Sequence, residues 1–463
     1  MPILAGFMVP HPPMIVPAVG RGSEKQVEKT TRAYEQAAEE IAALRPDTII
    51  ITSPHATMYA DYFHISPGKS ARGDFGQFRA GQESCRVDYD AELTSLISKL
   101  AREKGFPAGV MGERDRKLDH GTMVPLYFIR KAYPEMCKIV RIGLSGLPLT
   151  EHYRLGQMIR EAVDILGRRA VFVASGDLSH KLQSYGPYGF AAEGPQYDER
   201  IMDVCSRAAF GELFDFEESF CEKAAECGHR SFVIMAGAFD GLAVKATQLS
   251  HEDVTGVGYG ICTFYPGEPD EGRHFLAQYL VKASEKLSAA RAQEDPYVQL
   301  ARKTVEMYVR DRVKPEVPAG LPPEMLSTRA GAFVSIHEHG KLRGCIGTIA
   351  PVRNCVAQEI IDNAVSASTR DPRFDPITAD ELEWLEISVD VLGEAEPIAS
   401  PAELDVKRYG VIVTKGTKRG LLLPDLDGVD TVEQQIAIAK SKAGIADWDK
   451  KVQLERFEVV RHH

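Results

Sequence analysis

The chain has 463 residues and a mass of 51.0 kDa, which at about 150 residues per domain means two or three domains rather than one core. Apolar residues make up 44% and charged residues 26%, the balance of a globular protein, and no apolar run reaches the roughly 18 residues of a membrane span. The net charge of −11 argues against broad binding to nucleic acid or anionic membranes. Residues 3–9 read as a strand. Ser23 is expected to cap a helix reaching about Leu44, with Gln26 at the capping-box position. The β-branched run TIIIT at 48–52 reads as a strand buried on both faces. Helical patterns follow at 90–104 and 150–166, a buried strand at 171–175, and a last strand at 257–264. Strands alternating with helices predict an α/β domain with a central, mostly parallel sheet.

The stretch YPGEPDEGR at 265–273 breaks these patterns. It places one domain over 1–265, a linker over 266–274 and a second domain over 275–463. The second domain opens with helical patterns at 275–292 and 296–313 and a proline-rich loop at 314–323. Short strands at 331–337, 385–392, 410–414, 420–423 and 452–459 then mix with helices at 352–368 and 431–443, an α+β pattern. Prolines at positions 2, 10, 12, 13 and 17 and the lack of a basic start exclude a signal peptide or anchor over the first 21 residues. Eight cysteines without a CxxC pair predict neither a disulfide framework nor a zinc knuckle, so a reducing cytoplasm is the expected setting.

Four histidines of the first half share a setting. His11 follows Val9-Pro10 at the end of the first strand, and His55 follows Ser53-Pro54 at the end of the second. His120 lies in Asp119-His120-Gly121, read as a turn-like loop. His180 closes Ser175-Gly176-Asp177-Leu178-Ser179-His180, just past a strand. In open α/β sheets the site is the crevice beyond the carboxyl ends of the strands, so the four can converge there. Neutral imidazole is a ligand for Fe, Zn, Mn or Cu, and two imidazoles with one anionic ligand leave coordination positions open. Pro10 and Pro54 stiffen the backbone ahead of the two candidate ligands. Asp177 can orient an imidazole, pair with a substrate cation or cap the turn after its strand.

The segments His11-Pro12-Pro13, Ser53-Pro54-His55, Asp119-His120-Gly121 with Val124-Pro125-Leu126, and Ser175 through His180 resemble the class III extradiol dioxygenase (LigB-like) family, whose fold the Memo proteins share. The resemblance covers about residues 1–265. It implies that His11 and His55 bind Fe(II), with Zn or Cu as alternatives. It implies that His120 and His180 flank the substrate, and that His180 is the general base for a catechol-like hydroxyl. For the third ligand it leaves two neighbours open. Ring-cleaving members use a late Glu, which favours Glu226; in-register matching to Memo favours Cys227. His229 is a further candidate, better read as a helix N-terminal residue.

In the second half, Leu342-Arg343-Gly344-Cys345-Ile346-Gly347-Thr348 puts a Cys beside Arg343, whose charge would make the thiol reactive; a structural Cys in a strand bend is the alternative. Glu338-His339-Gly340-Lys341 reads as a hairpin turn rather than part of a metal cluster. His462 and His463 read as a tag remnant. The LRGCIGT segment, Asp371-Pro372-Arg373-Phe374 and Gly420-Leu421-Leu422-Leu423-Pro424 resemble the AMMECR1 family over about 275–463. That resemblance implies a pathway shared with a radical SAM partner protein; this chain has no CxxxCxxC of its own.

Three functions follow. The first is an Fe(II)-dependent extradiol-type dioxygenase, an oxidoreductase, acting on a catechol or aminophenol with O2. The second is a Memo-like metal protein in a modification pathway without ring cleavage. The third is a non-enzymatic two-domain adaptor. A coordinating Glu226 favours the first and a coordinating Cys227 the second. A homo-oligomer is expected.

Overall fold

The computed structural model describes residues 3–112, 117–426, 428–449 and 451–463. The chain divides into two compact units, Met1–Leu280 and Val281–His463. The division falls inside the helix Phe275–Arg291, not at 266–274. Residues 266–269 instead finish a strand, and Glu271–Arg273 form a 3-10 turn.

The first unit is built on a six-stranded sheet. Its strands are β1 (Ile3–Val9), β2 (Thr48–Ser53), β3 (Lys138–Gly143), β4 (Ala170–Ser175), β5 (Leu242–Glu252) and β6 (Tyr259–Pro269). The spatial order is β3-β2-β4-β1-β6-β5. The first four run parallel, and β6 and β5 add antiparallel strands at one side. Strands β1, β2 and β4 are buried almost throughout because both faces carry a core. Met8, Ile50 and Phe172 pack on one side; Phe7, Ile49, Ile51 and Val173 pack on the other. That explains their continuous apolar sequences.

Helices α1 (Glu28–Leu44), α2 (Ala91–Glu103), α3 (His120–Ala132), α4 (Leu149–Leu166) and α5 (His229–Ala238) belong to this unit. Two differ from the sequence expectation. Ser23 opens a 3-10 turn, Ser23–Val27, with its hydroxyl donating backward to the Gly20 carbonyl at 2.6 Å, and the α-helix begins only at Glu28 with Val27 at its N-cap position. His120 is not in a loop but opens α3. Asp119 caps that helix, its carboxylate accepting from the Thr122 N–H at 3.0 Å and the Thr122 hydroxyl at 2.8 Å.

The second unit holds β7 (Ala332–Glu338), β8 (Lys341–Gly347), β9 (Leu385–Leu392), β10 (Glu396–Ile398), β11 (Gly410–Lys415), β12 (Lys418–Leu422), β13 (Gln453–Phe457) and β14 (Val459–His462). They form two antiparallel sheets, in the orders β8-β7-β9-β14 and β10-β13-β11-β12. Helices α6 (Pro296–Asp311) and α7 (Val356–Thr369) share a core with the first sheet, and α8 (Val432–Lys442) with the second. His339 and Gly340, with φ of 51° and 76°, make the two-residue turn of the β7–β8 hairpin. His462 is part of this fold rather than a tag: it lies in β14, stacks on Tyr297 with centroids 3.8 Å apart, and its Nδ1 is 2.5 Å from Asp295. Among the described residues no helix is long and apolar enough to cross a membrane.

Candidate metal centre

The strand register sets the site. Val9 of β1 pairs with Ser175 of β4, and Thr52 of β2 pairs with Ala174 of β4. Three neighbouring parallel strands therefore end level. The residues just beyond them, His11, His55 and Asp177, emerge at one edge of the sheet. Asp177 Oδ1 accepts from the His11 N–H at 2.7 Å, which ties two of these exits together.

A fourth segment arrives through a backbone contact. A Cβ on Gly176 would lie 2.1 Å from the Cα of Gly228, so only glycine allows the two loops to approach this closely. The approach brings Cys227 under Asp177, whose N–H donates to the Cys227 sulfur at 3.3 Å.

The ring of His11 is oriented by its far nitrogen. The Ser175 hydroxyl donates its one proton to the Gly121 carbonyl at 2.6 Å. It can then only accept from His11 Nδ1, 3.0 Å away. The proton of the neutral ring therefore sits on Nδ1, and Nε2 presents a lone pair to the site. Around that atom lie His55 Nε2 at 3.0 Å, Cys227 Sγ at 3.7 Å and Asp177 Oδ2 at 3.9 Å. Two overlapping sets have all donor atoms within 4.8 Å of one another: His11, His55 and His120, and His11, Asp177 and Cys227. The rings of His55 and His120 are 4.0 Å apart.

Charge follows from burial. Desolvation first, and the neighbouring His55 second, push His11 down to about 3 and His120 down to about 4. Burial also lowers His55. The three imidazoles are therefore neutral at physiological pH. Burial raises the Asp177 carboxyl, with His180 opposing, and raises the Cys227 thiol, with the Asp177 charge adding to it. A cation inserted among these groups would favour the deprotonated form of both.

Asp119 stands behind the cluster. Burial would raise its carboxyl, but the Ser53 hydroxyl, donating at 2.6 Å, and the buried Arg141 guanidinium, 3.6 Å away, outweigh that and hold it low. Ser53 also accepts from the His55 N–H at 3.2 Å. Asp119 and Arg141 had no assigned role in the sequence reading; the Asp-x-x-Thr capping pattern before the apolar run of α3 is the signal for the first of them.

His180 faces the same pocket. Its Nδ1 donates to the Ala225 carbonyl at 2.5 Å, leaving Nε2 as the lone-pair nitrogen, 4.0 Å from Asp177 Oδ2. Aromatic side chains stand edge-on to the two outer imidazoles, Tyr188 at 5.1 Å from His180 and Phe78 at 5.5 Å from His120.

Two candidates lie elsewhere. The Glu226 carboxylate accepts from the His229 N–H at 2.6 Å, so it serves the start of α5 and is not among the clustered donors. His229 is buried, with Nε2 2.9 Å from the Leu213 carbonyl and Nδ1 3.3 Å from the Tyr197 hydroxyl; both nitrogens are spent. In the second unit, Arg343 does not serve Cys345. The Arg343 guanidinium pairs with Glu381 at 2.6 Å and donates to the Asp375 carbonyl at 2.7 Å rather than to the Cys345 sulfur.

Residues 5–262 match the family described as the catalytic LigB subunit of aromatic ring-opening dioxygenase. The chain belongs to the LigB family. Residues 298–462 match the AMMECR1 family, so a LigB-family unit and an AMMECR1-family unit are joined in one chain. A protein of Clostridium acetobutylicum is 42% identical over 465 residues, covering 98% of both chains, so it shares the whole organisation. A protein of Thermotoga maritima is 52% identical over 170 residues, 36% of this chain and 98% of its own. The crystal structure of an uncharacterised protein from Pyrococcus horikoshii matches with 30% identity over 36% of this chain and 88% of its own, at a TM-score of 0.34.

Proposed function

We propose that the LigB-family unit is a metal-dependent enzyme in which His11, His55 and Cys227 hold one transition-metal ion beside Asp177. One observation carries this: the Ser175 hydroxyl fixes His11 with its Nε2 lone pair turned toward His55 Nε2, Cys227 Sγ and Asp177 Oδ2. A bound Fe(II), or Zn or Cu with the same imidazole and thiolate donors, supplies Lewis-acid polarisation and a template for substrate oxygens.

The chain's own residues do the rest. His180 Nε2 takes the proton of a substrate hydroxyl, and the Asp177 carboxylate stabilises the imidazolium that results. His120, with Phe78 at its edge, forms the opposite wall and orients the substrate. The substrate class that suits two flanking imidazoles and an aromatic edge is a catechol or aminophenol.

Ring cleavage with O2 is the second reading, and Asp177 favours it. Its carboxylate lies 3.9 Å from His11 Nε2, which in turn lies 3.0 Å from His55 Nε2, so the three would supply the two-histidine, one-carboxylate donor set of non-haem iron oxygenases without Glu226. The union of LigB-family and AMMECR1-family units supports a multistep pathway, in which any radical SAM step falls to a partner protein.

The test uses full-length protein loaded anaerobically with Fe(II) and 4-nitrocatechol, whose absorption shifts on ionisation. The wild type is expected to ionise the probe. His180→Ala is expected to keep its metal and lose the shift. An unchanged shift in His180→Ala removes the base assignment. Oxygen uptake with an unsubstituted catechol distinguishes ring cleavage from a Memo-like reaction without it.

A further inference from the structure

Among the largest fully buried side chains is a charged one, Arg141 in the middle of β3. A buried guanidinium gives up several kcal/mol of hydration, and a buried ion pair is a weak source of stability. Its place here is explained by what it holds. Nε donates to the Ser66 hydroxyl at 2.7 Å and Nη1 to the Lys117 carbonyl at 2.7 Å. With the fork fixed in this way, Nη1 stands 3.6 Å from Asp119 Oδ2.

Asp119 carries more bonds than a helix cap needs. The cap itself is made with Thr122, whose N–H reaches Oδ1 and whose hydroxyl reaches Oδ2. Oδ1 also accepts the Ser53 hydroxyl at 2.6 Å. That uses the one proton of Ser53, so its oxygen can only accept from the His55 N–H, 3.2 Å away. The backbone of His55 is thereby tied to Asp119. His120 follows Asp119 directly and opens α3. Gly121 closes the arrangement. A Cβ there would lie 2.4 Å from Ser53 Oγ and 3.3 Å from His55 Cδ2, so only glycine lets the end of β2 pack onto the first turn of α3. The Gly121 carbonyl accepts from the Ser175 hydroxyl, the bond that sets the His11 tautomer. Imidazoles from three segments therefore depend on one carboxylate: His55 through Ser53, His120 through the chain, and His11 through Gly121 and Ser175.

We propose that Asp119, held in place by Arg141, is the positioning residue of the metal centre and sets how His11, His55 and His120 stand to one another. The inference rests on the metal-site reading above. Both carboxylate oxygens are needed, Oδ1 for Ser53 and Oδ2 for Arg141. An asparagine still caps a helix but has a single acceptor oxygen, so it cannot serve both partners.

The test titrates full-length, metal-free protein with Co(II), whose visible absorption reports the number and arrangement of its ligands without turnover. The wild type is expected to bind it stoichiometrically and His11→Ala to lose it. Asp119→Asn and Ser53→Ala are each expected to weaken Co(II) binding roughly 10- to 100-fold, as loss of outer partners of ligating histidines does, and to shift the absorption band. The double variant is expected to be no weaker than Asp119→Asn, because both changes break one path. Should Asp119→Asn not fold, Ser53→Ala, which removes a single hydroxyl, carries the test alone. Wild-type affinity and spectrum in the folded variants overturn the proposal and leave the metal centre standing. A lower melting temperature with an unchanged spectrum, the mark of a helix cap alone, overturns it too, as do losses that add in the double variant. A wild type that binds no Co(II), or a His11→Ala that still binds it, removes the metal centre and the inference together.

Discussion

The two units hold their polar clusters by opposite means. In the first, donors sit at the ends of parallel strands buried on both faces, and burial strips their charge: His11 and His120 are held neutral down to about 3 and 4. In the second, the cluster lies on the edge of an antiparallel sheet and keeps its charge through pairing: Asp371 is held down to about 2, chiefly by the Arg373 hydrogen bonds. Depth suits a cation that must displace protons and water.

The sharpest way to break the contrast is to remove a donor. His11→Ala, His55→Ala and Cys227→Ala are each expected to abolish stoichiometric metal binding, read by elemental analysis of anaerobically prepared protein. Full metal in all three variants refutes the site. A smaller effect is expected behind the donors. Ser175→Ala removes the group that fixes the His11 tautomer and should weaken metal binding roughly 10- to 100-fold, as loss of outer partners of ligating histidines does. Unchanged affinity would detach the tautomer from the donor function.

Acid should separate the units. Below pH 6.5 the unfolded chain protonates histidines that the folded first unit keeps neutral, namely His11, His120 and the buried His229 at about 4. The unfolded state then binds more protons, so the stability of this unit falls as pH drops from 6.5 toward 4. Asp371 works in another window. Its contribution is present above the ordinary carboxyl value of 3.8 and is lost as pH falls through about 2. Both tryptophans, Trp384 and Trp448, lie in the second unit, so their fluorescence reports it alone while circular dichroism reports both. In metal-free protein, the dichroism melting point is expected to drop between pH 6.5 and 4.5 while the fluorescence melting point holds. A dichroism transition that does not move would contradict the buried neutral imidazoles.

The smallest effect belongs to Glu226. Glu226→Ala should leave metal content unchanged and cost about 1 kcal/mol of stability, the typical loss when a helix N-terminus loses its carboxylate acceptor. Loss of metal in that variant would return Glu226 to the donor set.

These distinctions mark what the sequence could and could not carry. His11, His55 and His180 were legible because each follows a short apolar run, and the parallel register that levels the strand ends is a general property of such sheets. The LigB-like and AMMECR1-like resemblances of the two halves agree with the family matches. Local pattern was silent wherever a distant segment decides the outcome. Glu226 and Cys227 are neighbours of equal promise, and only the contact of Gly176 with Gly228 turns the sulfur toward His11. Arg343 is near Cys345 in sequence but spends its guanidinium on Glu381, whereas Arg373, from 28 residues on, donates to the Cys345 carbonyl. Ser23 had the composition of a cap, but a 3-10 turn over Ser23–Val27 separates it from the helix start at Glu28.

The central claim is that one cation is gripped where the strands end. Anomalous diffraction from metal-loaded crystals, collected on both sides of the metal absorption edge, tests it directly. The account predicts a single peak in contact with His11 Nε2, His55 Nε2 and Cys227 Sγ. A peak bound through Glu226, or a loaded crystal with no peak near His11, would contradict it.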